Sequence, residues 1–128
     1  MLGVVNVVDS MIARLVHCGV YLNAGREVGV ASTKVFTSQV IVLYLIAVWF
    51  SQIKNTSLQK RRKIIKSLRS LPNDIMNTLN IVRKNCFLVS DYLNGHNGSF
   101  ILGKEKSEAI AKEGSLKIKE IGYIHIQG

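Results

Sequence analysis

The sequence is short of the residues that mark stapled or metal-built proteins. It has two cysteines, Cys18 and Cys86, far apart along the chain. That excludes a disulfide framework and any CxxC metal spacing, and it makes a reducing, cytoplasmic setting the expectation. The three histidines, His17, His96 and His125, are scattered, and no two are four residues apart, so no metal site is expected. There is one proline, Pro72, and one tryptophan, Trp49. Acidic residues are scarce, eight against 17 Lys and Arg, for a net charge of +9. Such a balance permits an anionic partner without choosing one. No hydrophobic run is long enough for a membrane: Val40–Phe50 falls far short of the roughly 20 residues a span needs. The opening MLGVVNVVDS has no basic lead-in and no small-x-small site, so it does not read as a signal peptide. Asn-x-Ser/Thr patterns at Asn55 and Asn97 carry no meaning in a cytoplasmic protein.

What is there is apolar. Hydrophobic residues make up 48% of the chain, which predicts a packed core rather than disorder. Leu2–Val8 and Cys18–Gly25 read as strands buried on both faces, as in a parallel sheet. The Thr33–Ser51 stretch reads as a long buried helix, with Ser32 or Thr33 as its cap. A polar break, Ser51–Ser57, precedes a helix over Leu58–Leu71, whose apolar stripe includes Ile64, Ile65 and Leu68. Pro72 is expected to end that helix and open the next, which continues towards Leu93. NGHNGS, Asn94–Ser99, reads as a loop, Phe100–Gly103 as a short strand, and Ser107 to Ile124 as a last helix. A lone C-terminal strand needs a sheet to join, and the chain offers no evident partner for it, which suggests a fragment. This order of elements predicts an α/β layer architecture.

Three stretches invite chemistry. The Gly25–Lys34 loop runs into a helix N-terminus, a place that favours phosphate or an oxyanion, or simply a capped helix. It is not a P-loop, because Lys34 follows Ser32-Thr33 instead of preceding them. Glu113, Lys117 and Glu120, spaced four and three apart, share one helix face. They form either an acid–amine cluster fit for proton transfer or a solvated ion-pair face. Lys60, Arg61, Arg62, Lys63, Lys66 and Arg69 form a basic cluster with no interleaved aromatics, which reads as a solvated face and not as a nucleic-acid site.

Two blocks carry a resemblance: NAGREVGVASTKVFTSQ (Asn23–Gln39) and EGSLKIKEIGYIH (Glu113–His125). In this order they resemble the sugar-isomerase (SIS) region of the glutamine–fructose-6-phosphate aminotransferase family, the glucosamine-6-phosphate synthases. The resemblance implies a three-layer α/β/α fold around a parallel sheet, present here incompletely. Residues 1–57 would be part of a first SIS domain, 58–97 a helical connection, and 98–128 the beginning of a second. It implies that Val30, Ala31 and Ser32 face the sugar, that Lys117 is the active-site lysine, and that Glu120 is the catalytic base. That base moves a proton between C1 and C2 as fructose 6-phosphate and ammonia become glucosamine 6-phosphate. No cofactor is implied. The partners implied are a sugar phosphate and a second copy or a full-length enzyme, with no nucleic acid and no membrane.

The family's phosphate-gripping Ser-Gln-Ser-Gly-Glu-Thr loop, glutaminase half and C-terminal Schiff-base lysine have no counterpart in this chain, so a weak or inactive enzyme is expected. The alternative is a non-catalytic sugar-phosphate-binding or regulatory SIS module. The chain also departs within the matched blocks. The family usually has glycine where Asp9 stands, proline at Arg26, and Gly-Arg-Gly where Gly103-Lys104-Glu105 occurs. The last change predicts backbone strain at Glu105.

Overall fold

A computed structural model describes residues 1–54 and 56–128, so the pattern at Asn55 lies outside the described residues. The chain divides into two compact units, Met1–Arg61 and Arg62–Gly128. Each pairs two parallel strands across a helix, the incomplete α/β arrangement implied by the sequence.

In the first unit, β1 (Leu2–Val5) leads through α1 (Met11–Leu15) to β2 (Cys18–Tyr21). The strands pair in parallel from Leu2↔Cys18 to Val5↔Tyr21. Gly19 permits this approach: a Cβ there would lie 2.7 Å from the Gly3 carbonyl oxygen. Ser10 caps α1, its hydroxyl accepting from the Ala13 N–H at 3.3 Å. The polar loop follows, and then α2 (Lys34–Phe50).

The strands are shorter than expected and are not buried on both faces. β2 is exposed throughout, and only Gly3 of β1 is buried. The α2 helix forms where expected but has no buried residue; Leu43 is 54% exposed and Trp49 61%. A two-stranded ribbon is too narrow to cover a helix that is apolar all round. The expected core is correspondingly thin.

The α3 helix (Leu58–Leu93) runs without a break through Pro72, which corrects the expected boundary there. An interior proline loses one hydrogen bond and costs about 3 kcal/mol. The apolar series Ile64, Leu68, Leu71, Ile75, Leu79 and Val82 keeps helical phase on both sides of it, so one continuous helix keeps a single apolar face.

Beyond α3, the expected strand at Phe100–Gly103 lies earlier, as β3 (Gly98–Phe100). The last helix, α4 (Lys106–Gly122), stops before Ile124, at Tyr123 in the left-handed conformation. The chain then forms β4 (His125–Gln127), which pairs in parallel with β3. The C-terminal strand therefore has a sheet partner after all. Ile101 extends the pairing by donating to the Gln127 carbonyl at 2.8 Å. Among the described residues, the buried hydrophobic side chains are Ala111 of α4 and Ile126 of β4. Ile126 is 1% exposed, and burying such a side chain contributes about 1.5–3 kcal/mol.

Two connections are strained. Asp9, between β1 and α1, has φ 57°, and Glu105, opening α4, has φ 55° with ψ −117°. Both stand where the resemblance leads one to expect glycine. Asp visits the left-handed region at modest cost, whereas Glu105 occupies a region that is essentially glycine's own. Replacing Glu105 with Gly should therefore raise stability by about 1 kcal/mol after the extra unfolded-state entropy of glycine is deducted. Asp9→Gly should change it by less than about 0.5 kcal/mol. Urea midpoints of the two variants test this ranking, and a destabilised Glu105→Gly protein would refute it.

Candidate functional site

The loop between β2 and α2 is held by two side chains. Asn6, just past β1, clamps the turn from below: its amide donates to the Gly25 carbonyl at 2.7 Å and its oxygen accepts from the Ala24 N–H at 3.0 Å. The turn needs this support because Asn23 and Gly25 are both left-handed, at φ 53° and 71°. Glu27 then closes the loop onto the helix. Its carboxylate accepts from the Thr33 N–H at 2.8 Å, the Ser32 hydroxyl at 3.1 Å and the Thr33 hydroxyl at 3.3 Å.

Glu27 thus does the capping that was expected of Ser32 or Thr33. Thr33 occupies the N-cap position, but its side chain makes no capping bond. A carboxylate is the better cap, because it satisfies an orphan N–H and meets the positive end of the helix dipole. The Thr33 N–H, chiefly, holds the Glu27 carboxyl below its ordinary value of 4.5, against a smaller opposing effect of desolvation. Of the three expected sugar-facing residues, Val30 is 87% exposed, and Ala31 and Ser32 are half-buried. Lys34 leans back over the loop and donates to the Arg26 carbonyl at 2.8 Å.

The second group lies on α4, in the other unit. Lys117 bridges two acids on one face, 2.8 Å from Glu113 Oε1 and 3.8 Å from Glu120 Oε2. All three side chains are between 21% and 28% exposed, so this is not a solvated surface ladder. Glu120 Oε2 is buried and accepts no hydrogen bond among the described residues. A buried carboxylate oxygen without a donor is uncommon in a folded chain and calls for an explanation. Lys117 also borders an open apolar hollow of about 520 Å3, shared with Val89, Leu93, Ile118, Ile121 and Ile124. Small residues make room along the helix: Ser115 is buried and ties its hydroxyl to the Lys112 carbonyl at 2.8 Å.

The structure therefore brings Glu113, Lys117 and Glu120 together, as their spacing predicts. Val30, Ala31 and Ser32 belong to a separate unit and are described within it. Sequence reasoning missed Asn6 and Glu27. Glu27 lies six residues before Thr33, outside the N-cap-to-N3 spacing of a capping box, so no local pattern announces it. Among the described residues, no cluster of His, Cys, Asp and Glu is arranged to hold a metal, and no helix is long and apolar enough to cross a membrane.

These features define an incomplete α/β chain built of parallel strand–helix–strand units, and known proteins share that architecture. The chain is 41% identical over 126 residues to a glutamine–fructose-6-phosphate aminotransferase (isomerizing) of Saccharomyces cerevisiae, covering 98% of this chain and 18% of that protein. Human glutamine–fructose-6-phosphate aminotransferase (isomerizing) 2 is also 41% identical over 126 residues, and a probable enzyme of that name from Schizosaccharomyces pombe is 39% identical over 127, each with 18% of its length covered. The C-terminal domain of glucosamine-fructose-6-phosphate aminotransferase from Francisella tularensis superposes with a TM-score of 0.93 at 31% identity, covering 98% of this chain and 36% of that one. No protein-family model matches. The chain is homologous over nearly its whole length to the glutamine–fructose-6-phosphate aminotransferase family, and its fold is that of part of the C-terminal domain. It spans less than a fifth of the length of these curated relatives.

The Glu27 cap has a pH signature. Its folded-state pKa is lowered, so the stability it contributes is present above the unfolded value and is lost as pH falls through the lower folded value. Glu27→Gln should lower the melting temperature at neutral pH, and the gap to the parent should close as the solution is acidified. A gap that stays constant into strong acid would show that the charge plays no part.

Proposed function

We propose that this chain supplies the sugar-facing loop and the catalytic carboxylate of a glucosamine-6-phosphate synthase isomerase. The substrates are fructose 6-phosphate and ammonia, and the product is glucosamine 6-phosphate. The unit around Val30, Ala31 and Ser32 belongs to a first SIS domain, and the β3–α4–β4 unit begins a second. The observation that carries the reading is Glu120 Oε2, buried without a hydrogen-bond donor and 3.8 Å from the Lys117 ammonium. An oxygen in that state is available to take a proton. Abstraction next to an imine needs a placed base, and a nearby cation stabilises the charge that develops. Glu113 holds the other side of Lys117, which fixes the ammonium between the two acids.

On this reading the chain alone is a weak catalyst. A second copy or a full-length relative covers α2, whose apolar surface is otherwise bare, and the protein works in the cytoplasm. The second reading is a sugar-phosphate-binding or regulatory SIS module. One observation favours it: the loop is clamped by Asn6 and capped by Glu27 wholly within its own unit, with no catalytic group needed to build it.

Turnover of fructose 6-phosphate and ammonia, followed by mass detection of glucosamine 6-phosphate, tests the first reading. Glu120→Gln should reduce the rate by about 100- to 10,000-fold, the usual contribution of a general base. Undiminished turnover in that variant would remove Glu120 from its role. Saturable calorimetric heat with glucosamine 6-phosphate and no turnover would favour the second reading.

A further inference from the structure

Among the described residues, the Ser32 hydroxyl has one hydrogen-bond partner, Glu27 Oε2 at 3.1 Å. An ionised carboxylate only accepts, so the proton in this contact belongs to Ser32. At neutral pH a glutamate is ionised, and the hydrogen bonds from Thr33 and Ser32 favour that form further. A serine hydroxyl has one proton and two lone pairs. With its proton turned inward to Glu27, half-buried Ser32 has only lone pairs left to offer a ligand. The carboxylate is held in this orientation from its other side. Oε1 accepts from the Thr33 N–H at 2.8 Å and from the Thr33 hydroxyl at 3.3 Å. Rotating away from Ser32 would leave that backbone N–H without its acceptor. Glu27 also borders an open hollow of about 560 Å3 beside the loop, together with Asn6, Gly25 and Arg26.

We propose that Glu27 is a positioning residue that sets ligand specificity: it holds Ser32 as a hydrogen-bond acceptor, so the loop reads a donor, a sugar hydroxyl. A phosphate dianion has only acceptor oxygens and finds no partner at Ser32. The proposal deepens the proposed function, since it rests on Ser32 facing the sugar.

Glutamine at position 27 reverses the polarity, by a route the geometry dictates. The Thr33 N–H needs an acceptor, so the amide oxygen takes the place of Oε1 and the amide NH2 takes that of Oε2. The NH2 then donates to Ser32, and the Ser32 proton is released towards the ligand.

The test is a titration of the isotope-labelled 128-residue chain with glucosamine 6-phosphate and with analogues in which each hydroxyl is replaced in turn by hydrogen or by fluorine, read by shifts of the Ser32 and Thr33 amides. Hydrogen neither donates nor accepts; fluorine accepts weakly and cannot donate. In the parent protein one hydroxyl should be required as a donor. Its hydrogen and fluorine analogues should both bind about three- to tenfold more weakly, the effect of one hydrogen bond. In Glu27→Gln the fluorine analogue at that position should bind more tightly than the hydrogen analogue. A merely structural role for Glu27 would weaken all the ligands alike. If Glu27→Gln fails to fold, Ser32→Ala carries the test: it keeps the Glu27–Thr33 contact, and the preference at that hydroxyl should vanish. A fluorine analogue that binds the parent protein as well as the hydroxyl does, an unreversed order in Glu27→Gln, or a preference that survives Ser32→Ala overturns the assignment. The two readings fail separately. Binding that depends on Ser32 without the donor requirement removes the role of Glu27 and leaves the proposed function standing. Absent binding, or binding unchanged in Ser32→Ala, counts against the sugar reading of the loop itself and removes the role of Glu27 with it.

Discussion

Parallel strand pairing is the constraint on which both units depend. Two parallel strands cannot be joined by a hairpin, so the chain must leave one end of the ribbon and return to the other. In the first unit that return runs through α1, five residues long, between β1 and β2. In the second it runs through α4, 17 residues long, between β3 and β4. Each departure and arrival demands a sharp turn. Among the described residues, the non-glycine residues with positive φ are Asp9, Asn23, Glu105 and Tyr123, each in a connection between elements or at a helix terminus. The strain is topological. Except at Asn23, it sits in the crossovers between paired strands.

The same constraint places the chemistry. Because α4 is the crossover of β3 and β4, one of its faces is committed to the sheet, through Ala111, Ser115 and the strand residue Ile126. The period of the helix then fixes where Glu113, Lys117 and Glu120 fall: on a neighbouring face, partly sheltered and close enough to interact. In the first unit the chain leaving β2 must reach the start of α2, and the loop that does so is irregular, with few backbone partners of its own. Side chains from outside it supply the order. Asn6 reaches it from the end of β1, and Glu27 reaches across it to Thr33. The α4 face is therefore a consequence of how β3 and β4 are connected, and the loop is a consequence of side chains reaching it from outside.

Much of this was legible in the sequence. The spacing of Glu113, Lys117 and Glu120 gave their common face, because helical period needs no tertiary knowledge. The two blocks around Ser32 and Glu120 gave the family. What stayed hidden depended on partners distant in sequence. Nothing local marks Asn6 as a clamp for Gly25, since 19 residues separate them. Burial was misjudged in α2 because composition reports what a helix wants, and the two narrow strands of its unit do not provide it. Pro72 was different: the signal was present and read too locally. A proline was weighed as a stop, while the apolar stripe continued in phase through it.

The departures at Asp9, Arg26 and Glu105 separate two kinds of change. Asp9 and Glu105 alter corners, where a side chain replaces the freedom of glycine and the cost falls on the backbone. Neither touches the Lys117–Glu120 pair or the Glu27 cap, so the site geometry persists while the margin that supports it narrows. Arg26 alters no corner and instead stands in the lining of the hollow beside the loop. The altered corners bear on how firmly the scaffold holds, and the altered lining bears on what the scaffold can hold.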